Sequence, residues 1–326
     1  MKCPGKTIGF TAGGAICLAA IFFAGYNDSS NTTVETPPPA LRAVTTSPDI
    51  PPQITFCGET VDLARYNRRE GMDRELSSFA YYHSTTMLLL KRANRYFPVI
   101  EPILKAHHIP DDFKYLAVIE SNLDPTAVSP ARARGLWQFM ESTAKEYRLA
   151  VTPTVDERYN IRRSTEAACK YLSEAYDKYG DWLLVALSYN AGMGRISSEY
   201  DRQHRPAATD MWLVEETSRY IYRIFAVKLI FENPYKYGFA MNARNLYKSI
   251  PCDEVTVSED IPDLADFAAG YQLTLSDLKR FNPWLKDTRL NVEKNTYVIL
   301  IPRIEHLRYD NPDETTVHDP RWVEQN

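Results

Sequence analysis

Between residues 60 and 231 apolar residues recur at three- and four-residue spacing, with few strand-like alternations, a pattern that predicts an all-α body. A first amphipathic run covers about residues 74–107. It stops ahead of Ile109-Pro110, where proline ends one helix and Asp111-Asp112 open another. In that second helix, DDFKYLAVIES, the positions of Phe113, Leu116, Ala117 and Glu120 fall at i, i+3, i+4 and i+7. One carboxylate therefore sits on the stripe that faces the core. The helix breaks into SNLDPTAVSPARAR, and GLWQFM leads into the next helix, with Gly135 allowing close backbone approach and Trp137 with Gln138 offering an apolar platform beside an amide. A longer helix is predicted over Ile161–Tyr179, with Ala168, Tyr171, Leu172 and Ala175 on its core side and Gly180 as its stop. DWLLVALSYNAGMGRI then predicts an apolar helix that ends at a glycine-rich turn and presents Tyr189 and Asn190.

The pattern changes at both ends. From Val255 onward VTV, two helical stretches and TYVILIP give a βααβ order. At the start, Lys2 and Lys6 precede the apolar run from Ile8 to Tyr26, and no acidic residue occurs before Asp28. This is the pattern of an export signal long enough to stay as a membrane anchor, and a retained anchor is the preferred reading. Cys17 follows Gly-Ala-Ile, which departs from a lipoprotein signature, so lipidation is not expected. Residues 27–54 hold six of the chain's 21 prolines and predict an extended tether. The predicted organisation is a signal or anchor over 1–26, a linker over 27–54 and a helical extension over 55–95. A helical domain over 96–235, a connector over 236–254, a βααβ module over 255–304 and a disordered polar tail over 305–326 complete it.

With 326 residues, 44% of them hydrophobic and 25% charged, the chain can bury a real core of about two modest domains. Its 38 basic and 42 acidic residues leave a net charge of -4, which gives no general footprint for nucleic acid, and none is expected as a partner. Five cysteines without CxxC spacing, and His107-His108 without acidic or thiol partners, predict no metal site and no cofactor. Outside the cytoplasm Cys57 and Cys252, which bracket the helical body, are a candidate disulfide pair, while Cys169 belongs to an apolar helix face as a buried thiol. Glu120 carries the candidate chemistry. Desolvation on an apolar face disfavours its ionised form and makes it a general acid near neutral pH, whereas an isolated Glu at a helix end more often turns outward. Asp124, in a proline turn, and Glu141, at a helix start, have structural readings as an Asx-type cap and a dipole partner.

Taken in order, IES (119–121), GLWQFM (135–140), SYNAGMG (188–194) and EETSRYIYRI (215–224) resemble the soluble-lytic-transglycosylase, goose-lysozyme-like family over about residues 96–233. The resemblance implies a mainly α fold, with a lysozyme-like helical catalytic domain and a small C-terminal α+β module. It makes Glu120 the sole catalytic acid and base, and Ser121, Gln138, Tyr189, Asn190 and Tyr220 substrate-positioning residues, with Ser188 standing where the family has alanine. The implied reaction cleaves the β-1,4 bond between N-acetylmuramic acid and N-acetylglucosamine in peptidoglycan glycan strands without water. A 1,6-anhydro ring closes in its place, and the same carboxyl first gives and then takes a proton. A water-using muramidase on the same fold and a catalytically silent wall-binding scaffold are the competing readings. The C-terminal stretch resembles a LysM module through NPWL (282–285) and YVILIP (297–302). It departs from that family at Glu259-Asp260-Ile261-Pro262, which leaves both a glycan binder and a structural appendage open.

Overall fold

The computed structural model describes residues 46–311 and 315–324. The expected signal or anchor and most of the linker lie outside them. Among the described residues no helix is long and apolar enough to cross a membrane.

The ordered body opens within the predicted linker, because Ile54 and Phe56 alternate inward along a strand. Strands β1 (Gln53–Phe56) and β2 (Glu59–Asp62) form an antiparallel hairpin. Phe56 lies 5.7 Å from the Phe113 ring and 5.6 Å from the Phe225 ring, so the hairpin closes one side of the helical core. The predicted extension is therefore a hairpin followed by helices. The single run expected over 74–107 is two helices, α1 (Tyr66–Tyr81) and α2 (His83–Ala106). They part at Tyr82, which carries no helix-breaking signal. The Thr86 hydroxyl spans the break by donating to the Phe79 carbonyl. Pro98 and Pro102, the residues that would ordinarily break a helix, both lie inside α2.

Helix α3 (Lys114–Ser121) is short, and α4 (Glu141–Glu146) is shorter still. The loop between them folds as turns held by bridges from Arg134 to Val128 and to Phe139, and GLWQFM itself leads straight into α4, as expected. Helix α5 (Ile161–Tyr179) has the predicted bounds, an Asn160 N-cap, and Gly180 at φ 64° as its stop. Helix α6 (Trp182–Ala191) starts on an Asp181 cap and ends at Gly192, φ 84°, after which α7 (Met193–Arg202) begins at once. Helix α8 (Glu215–Glu232) is buried on nearly every side over residues 220–231, which makes it the central helix; α1, α3 and α6 pack against it. Glu75 on α1, only 1% exposed, is gripped by Arg219 of α8 at 2.7 and 3.3 Å.

Strand β3 (Cys252–Val257), α9 (Leu264–Gly270), α10 (Leu275–Phe281) and β4 (Tyr297–Pro302) form the expected βααβ module, with β3 and β4 antiparallel. Thr274 and Asp277 cap α10 reciprocally. The module is not a loose appendage. Val155 of the body is wholly buried in the module's apolar cluster with Leu264, Leu278, Trp284 and Ile299, and the Asp156 N–H donates to the Trp284 carbonyl at 2.9 Å.

Two further expectations are corrected. The tail over 305–326 is pinned rather than disordered where it is described. The His318 N–H donates to Asn94, and Trp322, 2% exposed, packs on Phe97 and Phe231 while its indole N–H donates to the Phe231 carbonyl. Cys57 and Cys252 are free thiols. Cys57 turns the first hairpin, its N–H held by Asp112, while Cys252 opens β3 in the C-terminal module, so chain-end bracketing in sequence does not bring them together. Cys169 is the buried thiol expected.

Candidate active site

Helix α3 ends one residue after Glu120. Asn122 and Leu123 both take left-handed backbone (φ 54° and 52°), which stops the helix and leaves Glu120 in its last turn. Leu123 is an unusual residue for that conformation, and its complete burial holds it there. The Glu120 carboxyl is partly buried, and Tyr220 of α8 donates its hydroxyl to Oε1 at 2.6 Å. Burial pushes its pKa up to about 7, opposed by the Tyr220 hydrogen bond and by the Arg223 charge, and assisted by the Glu216 charge. The carboxyl thus holds its proton in the range where it can both give and take one. Arg223 also donates to the Ile119 carbonyl at 3.2 Å, tying α8 to the end of α3.

Of the other predicted site residues, Tyr189 feels the charge of this carboxyl, and each is fixed in place by hydrogen bonds of its own. Tyr189, in the last turn of α6, donates to the Trp137 carbonyl at 2.8 Å and rests edge-on against Tyr171. Its own ionisation is suppressed by burial and by the Glu120 charge. Asn190 Oδ1 accepts the Thr217 hydroxyl at 2.9 Å, an arrangement that leaves the amide nitrogen without a partner among the described residues. Gln138 sits in left-handed backbone, φ 49°, with its amide donating to the carbonyls of Gly135 (2.7 Å) and Ala127 (3.3 Å), so the side chain staples its own loop. Ser121 is buried and donates back to the Ala117 carbonyl. Trp137 is no platform. It is wholly buried, its indole N–H bonded to Thr165.

The loop that carries Gln138 depends on one glycine and one buried charge pair. Gly135 takes φ 77°, and a Cβ there would lie 1.9 Å from the Arg158 carbonyl oxygen. Arg158 is itself gripped by Asp156, 0% exposed, at 2.8 and 2.9 Å, and its guanidinium reaches the carbonyls of Arg132 and Phe139 on either side of the turn. The other carboxylates near this segment are engaged as the sequence suggested. Asp124 accepts from the Thr126 N–H and hydroxyl, and Glu141 pairs with Lys145 one turn on.

Residues 97–211 match the model of the transglycosylase SLT domain. The chain carries a transglycosylase SLT domain. Residues 253–305 match the soluble lytic transglycosylase C-terminal LysM-like domain, in the place of the βααβ module. Over 237 residues the chain is 30% identical to membrane-bound lytic murein transglycosylase D of Escherichia coli, covering 71% of this chain and 51% of that protein. It is 30% identical over 132 residues to membrane-bound lytic murein transglycosylase F of Pectobacterium atrosepticum, 37% of this chain and 26% of that one. A solved structure, the 70 kDa soluble lytic transglycosylase of Escherichia coli, aligns with a TM-score of 0.38 and 22% identity over 44% of this chain and 24% of that chain. The chain spans about half the length of the first of these relatives. Tyr220, the residue that meets Glu120, lies beyond the matched SLT segment, on α8. Sequence analysis missed three neighbours: Arg223, Glu216 and Thr217. Arg223 follows Tyr220 at i+3 and so shares its face, a signal that was there to be used.

Proposed function

We propose that this protein is a peptidoglycan lytic transglycosylase, acting on the β-1,4 bond between N-acetylmuramic acid and N-acetylglucosamine and leaving 1,6-anhydro-muramoyl ends. The observation that carries the reading is the Glu120–Tyr220 pair: one carboxyl, buried enough to titrate near pH 7, with a hydroxyl donor at 2.6 Å that steadies its ionised form. Glu120 in its acid form protonates the glycosidic oxygen as the bond breaks. The substrate's N-acetyl group stabilises the charge that develops at the anomeric carbon. Glu120, now a carboxylate held by Tyr220, accepts the proton of the muramoyl C6 hydroxyl as that oxygen closes on the anomeric carbon, and the acid is regenerated. No water enters, so no second carboxylate is required to activate one. Asn190, with its free amide nitrogen, and the loop stapled by Gln138 position the sugars. The family matches, the identity to a membrane-bound murein transglycosylase and the net charge of -4 all favour peptidoglycan over nucleic acid as the partner. They also favour a place in the cell envelope on the periplasmic side, with residues 1–26 as the anchor, residues 27–54 as the tether and wall remodelling as the role.

Mass spectrometry of muropeptides released from purified peptidoglycan tests this. Anhydro-muramoyl products, lighter by one water than hydrolysis products and absent with Glu120→Gln, are expected. Reducing-end muramoyl products would instead make the enzyme a muramidase, and a folded, wall-binding protein that releases nothing would make it a scaffold.

A further inference from the structure

Of the five tryptophans, Trp137, Trp284 and Trp322 are at most 2% exposed and Trp182 is stacked on Tyr176, whereas Trp212 is 84% exposed. An indole left in water forgoes a large burial, and a rigid exposed indole is a ready contact surface. The backbone that carries the Trp212 indole is pinned. Its N–H donates to Gln203 Oε1 at 2.7 Å and its carbonyl accepts from Gln203 Nε2 at 2.9 Å, so one side-chain amide satisfies both backbone polar groups of the residue. The same Nε2 is 3.1 Å from Glu199, which fixes Gln203 to α7. Val214, two residues on, is also exposed, 48%, which widens the apolar strip.

Trp212 borders a hollow of about 400 Å³ whose lining includes Ala191, Ile196 and Thr217, with Arg195 and Glu215 among its charged members. Thr217 is the residue whose hydroxyl bonds Asn190, and Ala191 is the next residue along α6. The hollow therefore adjoins the candidate site rather than standing apart from it. Arg195 makes no salt bridge within 4 Å among the described residues; its charge acts on Glu199, which lines the hollow beside it with Arg202, and its guanidinium is left to hydrogen-bond a ligand.

We propose that Trp212 and this hollow form a further subsite for the glycan strand. The indole face stacks on a pyranose ring beyond the bond that is cut, and Arg195 meets the lactyl group of a muramoyl residue, a free carboxylate once an amidase has removed the stem peptide. This rests on the function proposed above. A contact to a sugar beyond those flanking the cut bond supplies binding energy only to strands long enough to reach it, so its loss distinguishes long strands from short ones.

The test uses amidase-treated, peptide-free glycan strands separated by length. With the Glu120→Gln protein, titration of long strands shifts the tryptophan emission to the blue as the exposed indole is covered. Adding Trp212→Phe removes most of that shift. With the active protein, Trp212→Ala lowers kcat/KM on long strands by about tenfold, leaves the shortest cleavable fragments within about twofold, and Trp212→Phe restores most of the loss. Unchanged turnover of long strands by Trp212→Ala, an equal loss at every length, or an emission that does not move on binding would each overturn the subsite. Full turnover by Glu120→Gln would sink the catalytic reading instead. The titration needs no turnover and still decides the subsite.

Discussion

Glu120 lies on α3, and its acid–base range is set by residues on α8. Burial raises its pKa to about 7, while the hydroxyl of Tyr220 and the charge of Arg223 pull it back. With Glu120 as the acid, kcat/KM falls as pH rises through about 7. Tyr220→Phe removes a donor to the carboxylate, so it moves that limb to higher pH and slows turnover by roughly one to two orders of magnitude. A pH–rate profile of both proteins checks this, and a limb that stays put would show that another group titrates. Stability carries the same signature. The folded-state pKa is above the ordinary value of 4.5, so ionisation is disfavoured in the fold. That penalty is absent below the ordinary value, grows as pH rises through the folded value, and is constant above it. Glu120→Gln therefore stabilises the fold at about pH 8 by at most about 3 kcal/mol and raises its melting temperature there, with the gain vanishing near pH 4. A melting series across pH reads it directly.

At the scale of elements, the site is a set of helix ends and one turn. Helix α3 delivers Glu120 because Asn122 and Leu123 stop it; α6 delivers Tyr189 and Asn190 because Gly192 stops it. The turn that carries Gln138 closes only because Gly135 has no side chain where the Arg158 carbonyl approaches. Gly135→Ala is expected to cost about 2 kcal/mol or more, from a positive φ and a contact that no small shift of backbone relieves, and to lose most activity. Thermal melting and turnover of the same preparation check it; an unperturbed variant would show that the turn has slack. The sequence pointed to Gly135 as a close approach, and that is how it serves. The same pattern misplaced Trp137, because the apolar period says only that an indole faces inward or a groove. The Thr165 hydroxyl waiting in the core decides which.

At the scale of the whole chain, the body and the C-terminal module share structure. Val155 lies in the module's core, and Asp156, its neighbour, bonds both the module's Trp284 carbonyl and the Arg158 that supports the Gly135 turn. Removing residues 251–326 would expose Val155, release the Asp156 N–H, and strip Trp322 from Phe97 and Phe231. The expected result is a lower melting temperature and weaker turnover even on soluble glycan fragments that do not need a wall-binding module. Trp322→Ala alone should destabilise by about 3–5 kcal/mol, as for other large buried aromatics, which denaturant titration measures. A truncated protein with full activity on soluble fragments would mean the module serves binding alone.

Periodicity and local punctuation determined the helical body, the bounds of α5, the βααβ order of the module and the place of Glu120 on an inward stripe, because each rests on neighbours within one or two turns. The ordered motif words carried the candidate site for the same reason. Tertiary structure decided what depends on partners far along the chain. Tyr220 meets Glu120 across 100 residues. Cys57 and Cys252 part because one turns the first hairpin and the other opens the module's strand pair, and the described part of the polar tail is pinned because one tryptophan finds an aromatic cage on α2 and α8. A pKa near 7 belongs to this second group: desolvation is a property of what packs around a carboxyl, and only the fold supplies it.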